Sequence, residues 1–198
     1  MHRKHGVKIV GLLLAAGAGS RFGSDKLNHE LPHGVSLAVQ AARHLKAAVP
    51  RIVAVVRPGA EATARRLAAE DCEVVVCERA EEGMGASLAC AVAAAGEADG
   101  YVVALADMPF VRPSTIAAVR DAIASGAMLA APYFRARRGH PVGLSGRLRA
   151  EMLVLSGDEG ARKILVTRGS DLVKLPVGDP GVIRDIDRPE DLALAPRV

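Results

Sequence analysis

Leu12-Leu-Leu-Ala-Ala-Gly-Ala-Gly-Ser-Arg-Phe-Gly-Ser-Asp-Lys26 is the stretch that decides how this chain folds. The apolar run from Val7 to Leu14 predicts a buried strand, and it opens directly into a glycine-rich turn. Glycines let the backbone come close to a phosphate and aim several N–H groups at it. Arg21 and Lys26 follow, two cations with no acidic cluster nearby to neutralise, free to cover the charge that the backbone leaves. Two familiar phosphate loops do not fit. A Walker A loop closes on Gly-Lys-Ser/Thr, whereas Gly23 is followed by Ser24 and Asp25. The dinucleotide fingerprint spaces its glycines G-x-G-x-x-G, whereas these stand at 17, 19 and 23, the third one residue late.

Outward from this loop the pattern alternates. Strands are predicted at Val7–Leu14, Ile52–Val56, Glu73–Cys77 and Tyr101–Ala106. Helices are predicted at Leu37–Ala48, Ala60–Ala69, Ala86–Ala95 and from Pro113, where Ile116, Val119 and Ile123 make one apolar face. Beyond Leu129 the pattern loosens. A short strand near Met128–Ala131 is followed by an arginine-rich loop at 135–138 and a Gly-His-Pro turn at 139–141. Helices at Arg147–Leu155 and Gly160–Arg168 precede a strand at Leu172–Pro176, an apolar segment at Val182–Ile186 and a short helix from Pro189. Alternating strand and helix implies a mostly parallel sheet with right-handed crossovers, an α/β, Rossmann-like three-layer fold. No repeat, low-complexity tract or linker interrupts it, so residues 1–198 read as one domain. About 7–110 form a nucleotide-binding half and about 111–198 an acceptor-binding half.

Composition narrows the function classes. Half of the 198 residues are hydrophobic but only 3% are aromatic, so the core is aliphatic, as suits strands covered on both faces by helices. The same scarcity argues against nucleic-acid binding by base stacking. A formal net charge of +4 suits small polyanionic substrates. Cys72, Cys77 and Cys90 are too few for a disulfide framework and lack partners at zinc spacing, so they read as reduced thiols. No cleavable leader and no apolar segment of spanning length is recognisable, so a cytoplasmic protein with no membrane contact is expected.

In open parallel sheets ligands bind outside the carboxyl ends of the strands. Asp107, in Ala104-Leu-Ala-Asp-Met-Pro-Phe110, leaves the fourth strand there, with Pro109 stiffening the turn. It is well placed to hold a Mg²⁺ ion, which favours one or two carboxylates, waters and substrate phosphates. Capping of the helix at Pro113 is the other reading, and a six-residue gap opposes it. Asp185 and Asp187 alternate around Ile186 and would share one face of an extended segment. Asp187 can equally be the N-cap of the helix at Pro189. Gly83-Met-Gly-Ala-Ser-Leu88 is a second glycine loop opening a helix, either an ordinary helix start or a close approach to a nucleotide. Arg138-Gly-His-Pro-Val-Gly143 and Ser156-Gly-Asp-Glu-Gly-Ala-Arg162 are two further polar turns, the second at a helix N-terminus able to receive an anion.

The arrangement L-A-A-G-x-G-x-R-F-G-x-x-K from Leu14 to Lys26 resembles the signature of nucleotidyltransferases that activate phosphorylated compounds with a nucleoside triphosphate. It is most similar to the molybdenum cofactor cytidylyltransferases, the MobA-like nucleotidyltransferases. Five motifs stand in that family's order from about Lys8 to Asp191, the last being D-I-D-x-P-E-D. The resemblance implies nucleotide contacts at Leu14, Ala15, Ala16, Gly17, Gly19, Gly83, Gly85 and Ser87. It implies phosphate-binding, catalytic roles for Arg21 and Lys26, a catalytic metal site on Asp107 completed by Asp187, and acceptor contacts at His140, Pro141, Asp158 and Arg162. The implied reaction joins CMP from CTP to a phosphorylated, molybdenum-bearing pterin, with Mg²⁺ as cofactor. Transient contact with a molybdoenzyme or its chaperone follows from the same resemblance. Guanylyltransferase relatives carry L-A-G-G where this chain has Leu14-Ala-Ala-Gly17, and the Ala16 methyl would crowd a purine. The chain departs from the family after Lys26, where polar Asn28 and His29 stand. Other readings are a GTP-using guanylyltransferase, a sugar- or polyol-phosphate cytidylyltransferase, an NADP-dependent oxidoreductase with Arg57 on a 2′-phosphate, and a non-catalytic nucleotide-binding regulator.

Overall fold

The structure, a computed structural model, describes residues 6–17, 26–158 and 160–194. In chain order it contains β1 (Ile9–Ala15), α1 (Leu37–Ala48), β2 (Ile52–Val56), α2 (Glu61–Ala69), β3 (Glu73–Val76), α3 (Met84–Ala95), β4 (Gly100–Leu105) and α4 (Pro113–Ala124). There follow β5 (Leu129–Phe134), the two-residue β6 (Arg137–Arg138), β7 (Val142–Ser145), α5 (Arg149–Leu153), α6 (Arg162–Thr167) and β8 (Leu172–Pro176).

The described strands join in one sheet ordered β3-β2-β1-β4-β7-β5, with β8 alongside β5 and β6 on the last two residues of β5. Strands β1 to β4 are mutually parallel, and β8 is parallel to β5. Only β7 and β6 run against their neighbours. This is the mostly parallel α/β architecture that the alternation predicts. Because β1 is buried on both faces, its successive side chains feed two different cores. Val10, Leu12 and Leu14 pack with Leu88, Ala91 and Val92 of α3 and with Met152 of α5. Leu13 and Ala15 pack with Ala41 and Leu45 of α1, Leu67 of α2 and Ile116 and Val119 of α4.

The second half differs from expectation in several places. Val142–Ser145, predicted only as part of a turn, is a strand. Four residues between a proline and a glycine are too few to display a period, and pairing on both edges makes the strand: Leu144 stands opposite Tyr101, and Gly143 opposite Ala130. Gly143 admits no side chain, since a Cβ there would lie 2.6 Å from Ile123 and 2.9 Å from Val119 on α4. The helix predicted over 147–155 divides into a 3₁₀ turn at Gly146–Leu148 and the short α5. The helix predicted over 160–168 shrinks to the six residues of α6. At 182–186 the chain begins in a 3₁₀ turn (Pro180–Ile183), drawn tight by the Asp179 carboxylate accepting from the Gly181 N–H.

Asp179 also holds α4. Arg112, the residue before that helix, offers no side-chain cap, and the buried Asp179 carboxylate accepts from the Arg112 N–H and the Thr115 hydroxyl, both at 2.8 Å. A carboxylate accepting at a helix start satisfies donors that have no partner within the helix and faces the positive end of its dipole.

Candidate functional site

The carboxyl ends of β1 to β4 open on one cleft of about 530 Å³. Leu14, Ala16 and Gly17 enter it from β1, Arg57 and Pro58 from the end of β2, Glu78 from beyond β3, and Leu105 and Asp107 from β4. Lys26, Gly83, Met84, Ser87 and Asp158 complete much of the wall. Gly19 and Arg21 lie outside the described residues.

Three charged side chains meet at the Lys26 end of this cleft. The Lys26 ammonium donates to Asp107 Oδ2 at 2.9 Å and to Asp187 Oδ1 at 3.0 Å. Lys26 is only 8% exposed, whereas the side chains of Asp107 and Asp187 are 26% and 42% exposed. Burial works against the ammonium, but the two carboxylates outweigh it and raise the Lys26 pKa above its ordinary value. The expectation that Lys26 has no acid to neutralise is therefore overturned. Its acids come from 81 and 161 residues away, a distance at which sequence proximity says nothing.

Local structure explains how Asp187 reaches the site. Ile186 is fully buried against Leu31 and Leu37, and its N–H donates to the Asp107 carbonyl at 2.9 Å. That bond ties the two acid-bearing segments together at the backbone. The next turn is capped by Asp191, whose Oδ2 accepts from the Asp187 and Arg188 N–H groups. The Asp187 carboxylate itself accepts from the Lys26 ammonium. Asp185, two residues before it, is exposed.

This constellation fits a hard divalent cation. Two carboxylates from distant segments converge on one positively charged atom, and the ammonium stands where a cation is electrostatically favoured. Among the described residues no three His, Cys, Asp or Glu side chains cluster as a metal cage. A Mg²⁺- or Mn²⁺-like ion held by two carboxylates would draw its other ligands from water and phosphate oxygens.

The second glycine loop packs against another turn of the chain while Gly83 and Ser87 line the cleft. Gly83 (φ 113°) and Gly85 are close-approach positions, and what approaches them is the chain's own 156–158 turn. The Gly85 N–H donates to the Gly157 carbonyl at 2.7 Å, and a Cβ on Gly85 would lie 2.5 Å from the Ser156 carbonyl oxygen. A Cβ on Gly83 would strike the Asp158 carboxylate and the Gly157 backbone. Asp158 is thereby set in the wall of the same cleft as Lys26. The Ser87 hydroxyl is buried and donates to the Gly83 carbonyl at 3.4 Å, holding the first turn of α3.

The remaining acceptor-side residues lie elsewhere. Arg162 is exposed at the start of α6 and does not line the cleft. His140 and Pro141 line a second, very small cavity of about 10 Å³ with His44, Met108 and Val111. His140 is half-buried as a residue, but its Nδ1 is sealed from solvent without a partner among the described residues. Burial, helped by the positive charge of Arg138, pushes its pKa down to about 4, against the opposing pull of the Val103 backbone and Asp185. Glu78, Glu81 and Pro58 of the cleft wall were not anticipated as site residues, and Arg57 was anticipated only for a different cofactor. The rule that ligands sit beyond the carboxyl ends of parallel strands points to Arg57 and Glu78, which directly follow β2 or nearly follow β3.

Residues 11–172 match the family described as the MobA-like NTP transferase domain. Asp187 lies beyond that match, so geometry alone joins it to Lys26. The chain is 31% identical over 193 residues to the nicotine blue oxidoreductase of Paenarthrobacter nicotinovorans, covering 93% of this chain and 94% of that protein. Among solved structures it resembles Rv0371c from Mycobacterium tuberculosis H37Rv, with a TM-score of 0.84 and 27% identity over 95% of this chain and 96% of that one. A complex of Rv0371c with manganese superposes with a TM-score of 0.80 and 24% identity over 95% and 97% of the two chains.

Proposed function

The chain belongs to the MobA-like NTP transferase domain family, and from that premise we propose that it transfers CMP from CTP to the phosphate of a molybdenum-bearing pterin, releasing pyrophosphate. The observation that carries this reading is the convergence of Lys26, Asp107 and Asp187 at the cleft beyond the glycine-loop strand. An acceptor phosphate monoester has its second pKa near ~6 and is largely a dianion at neutral pH, so it attacks the α-phosphorus without a strong general base. The residues therefore act by neutralising charge and by positioning. Lys26, with Arg21, holds the β- and γ-phosphates, and the main chain at Gly17 lets them approach. Asp107 and Asp187 would hold a divalent cation, which supplies charge neutralisation at the reacting phosphates when bound. The manganese complex of the mycobacterial relative supports a divalent ion, and Mg²⁺ is the one proposed.

CTP is preferred because Ala16 stands in the cleft wall beside Gly17, where its methyl would crowd a purine. About 7–110 supplies most of the nucleotide site. The acceptor is assigned to the side formed by about 111–198, with Asp158 nearest the nucleotide and His140, Pro141 and Arg162 further out. The same surface would meet a molybdoenzyme or its chaperone transiently, and the reaction is placed in the cytoplasm. Among the described residues no helix is long and apolar enough to cross a membrane.

The test is pyrophosphate release from CTP and GTP, each offered molybdopterin and a set of sugar and polyol phosphates. CTP with the pterin is expected to exceed every other pair, and a GTP preference rejects the assignment of the base. Asp107→Asn is expected to lower the rate by about 10²–10³-fold with its cooperative melt retained, since it removes charge where charge is needed. Near-normal turnover of that variant rejects the mechanism.

A second reading is favoured by one specific pair of observations. Arg57 lines the cleft at the end of β2, where it could meet a 2′-phosphate, and the Paenarthrobacter relative is an oxidoreductase by name. Titration with NADPH separates the two: tight NADPH binding with no CTP binding selects the oxidoreductase.

A further inference from the structure

We propose that Lys26 is the resident counter-ion of the Asp107–Asp187 pair, so that the pair accepts a divalent metal only as the metal–triphosphate chelate and not as the free ion. The inference rests on reading the cleft as a nucleoside triphosphate site.

Both carboxylates direct an oxygen to one atom, Lys26 Nζ, at 2.9 and 3.0 Å. A divalent ion binding the same oxygens would stand within a few ångströms of that ammonium, and like charges so close repel strongly. Lys26 must therefore leave for the ion to enter. It is almost fully buried, so leaving strips a desolvated cation of both its partners. A free metal ion brings nothing to replace them. A chelated metal does, because the triphosphate that escorts it carries oxygens for the ammonium to take. The exchange then keeps every charge partnered: Lys26 passes from carboxylates to phosphates as the carboxylates pass from Lys26 to metal.

The neighbouring groups do not relieve Lys26 of this choice. Asp191 acts on Lys26 electrostatically, but its carboxylate is committed to the Asp187 and Arg188 N–H groups. Arg57, the other described cation in the cleft wall, carries the same sign as the ion. Nucleotide and metal are thus coupled ligands, and linkage makes the coupling reciprocal.

The measurement is Mn²⁺ binding to the full chain without nucleotide, followed by electron paramagnetic resonance and by the Mn²⁺-dependent shift in melting temperature. Wild type is expected to bind weakly. Lys26→Met, which keeps the length of the side chain without its charge, is expected to tighten Mn²⁺ binding roughly tenfold or more, the usual size of a coupling between two ligands. Lys26→Gln serves the same purpose should the methionine variant not melt cooperatively. Lys26→Arg should stay as weak as wild type, and adding Asp107→Asn to Lys26→Met should abolish the gain. Wild type binding Mn²⁺ as tightly as Lys26→Met overturns the inference and leaves the CTP reading standing. A gain in Lys26→Met, beside a wild type that releases no pyrophosphate from CTP, supports the counter-ion role and rejects the CTP reading.

Discussion

His140 and Lys26 are both charged or chargeable groups taken largely out of water, and their surroundings push them in opposite directions. Lys26 has two carboxylates within 3.0 Å and keeps its proton more firmly than a free lysine. His140 has a sealed Nδ1 with no partner among the described residues and a cation, Arg138, acting on it, and its pKa falls to about 4. A histidine with a depressed native pKa takes up its proton in the unfolded chain first. Its contribution to stability is therefore complete above pH ~6.5 and is lost as pH falls toward 4, by up to about 3 kcal/mol. Burial lowers the pKa of His44 as well, despite its Nδ1 lying 2.8 Å from the Val111 carbonyl, so it adds to the same trend. Melting temperature should drop between pH 6.5 and 4, and His140→Gln should flatten that slope. A slope unchanged in His140→Gln would show that carboxylates, not this imidazole, govern acid stability.

At the scale of elements, the second glycine loop and the 156–158 turn are one device. Gly85 donates to Gly157, and the absence of a Cβ allows the turn to press on the start of α3 and set Asp158 in the cleft wall. Gly85→Ala would place a methyl carbon 2.5 Å from the Ser156 carbonyl oxygen, and backbone cannot yield there as a flexible side chain can. The turn must retreat and carry Asp158 with it. The KM for the nucleotide is expected to rise about tenfold, the effect of one displaced positioning contact, with kcat changed far less. Equal losses in both constants would assign the loop to the chemical step instead. In the sequence this loop was legible only as glycines that permit an approach, because its partner lies some 70 residues downstream. The elements from Ile9 to Ala124 were legible almost to the residue, since long apolar strands and one-faced helices carry their own period. Strand β7 was not, because four residues carry no period and its pairing partners come from β4 and β5. The cap of α4 was missed for the same kind of reason. The residue that supplies it, Asp179, follows Pro113 by more than 60 positions, so no local rule for N-caps reaches it.

At the scale of the whole molecule, the cleft draws its wall from Leu14 to Asp158, and its charged end gathers Lys26, Asp107 and Asp187 from three distant segments. In the unfolded chain these groups are dispersed, and no unfolded state can offer the same site. A ligand that fills the cleft therefore stabilises only the folded protein, and its effect on melting reports affinity by mass action. At a hundred times its dissociation constant, a ligand adds about 2.7 kcal/mol. For a chain of this size that raises the melting temperature by roughly 5–10 °C. CTP with Mg²⁺ is expected to give a rise of that order. CTP with a chelator should give distinctly less, because Asp107 and Asp187 would then face triphosphate with no metal between them. GTP with Mg²⁺ should fall below CTP if the Ala16 methyl narrows the base site as argued. NADPH, by the same measurement, should give no rise, since a dinucleotide without a triphosphate offers Lys26 fewer anionic oxygens in exchange for its two carboxylates. A rise with NADPH that CTP does not match would move the function of this cleft from nucleotidyl transfer to hydride transfer, with Arg57 and not Lys26 as the residue that selects the ligand.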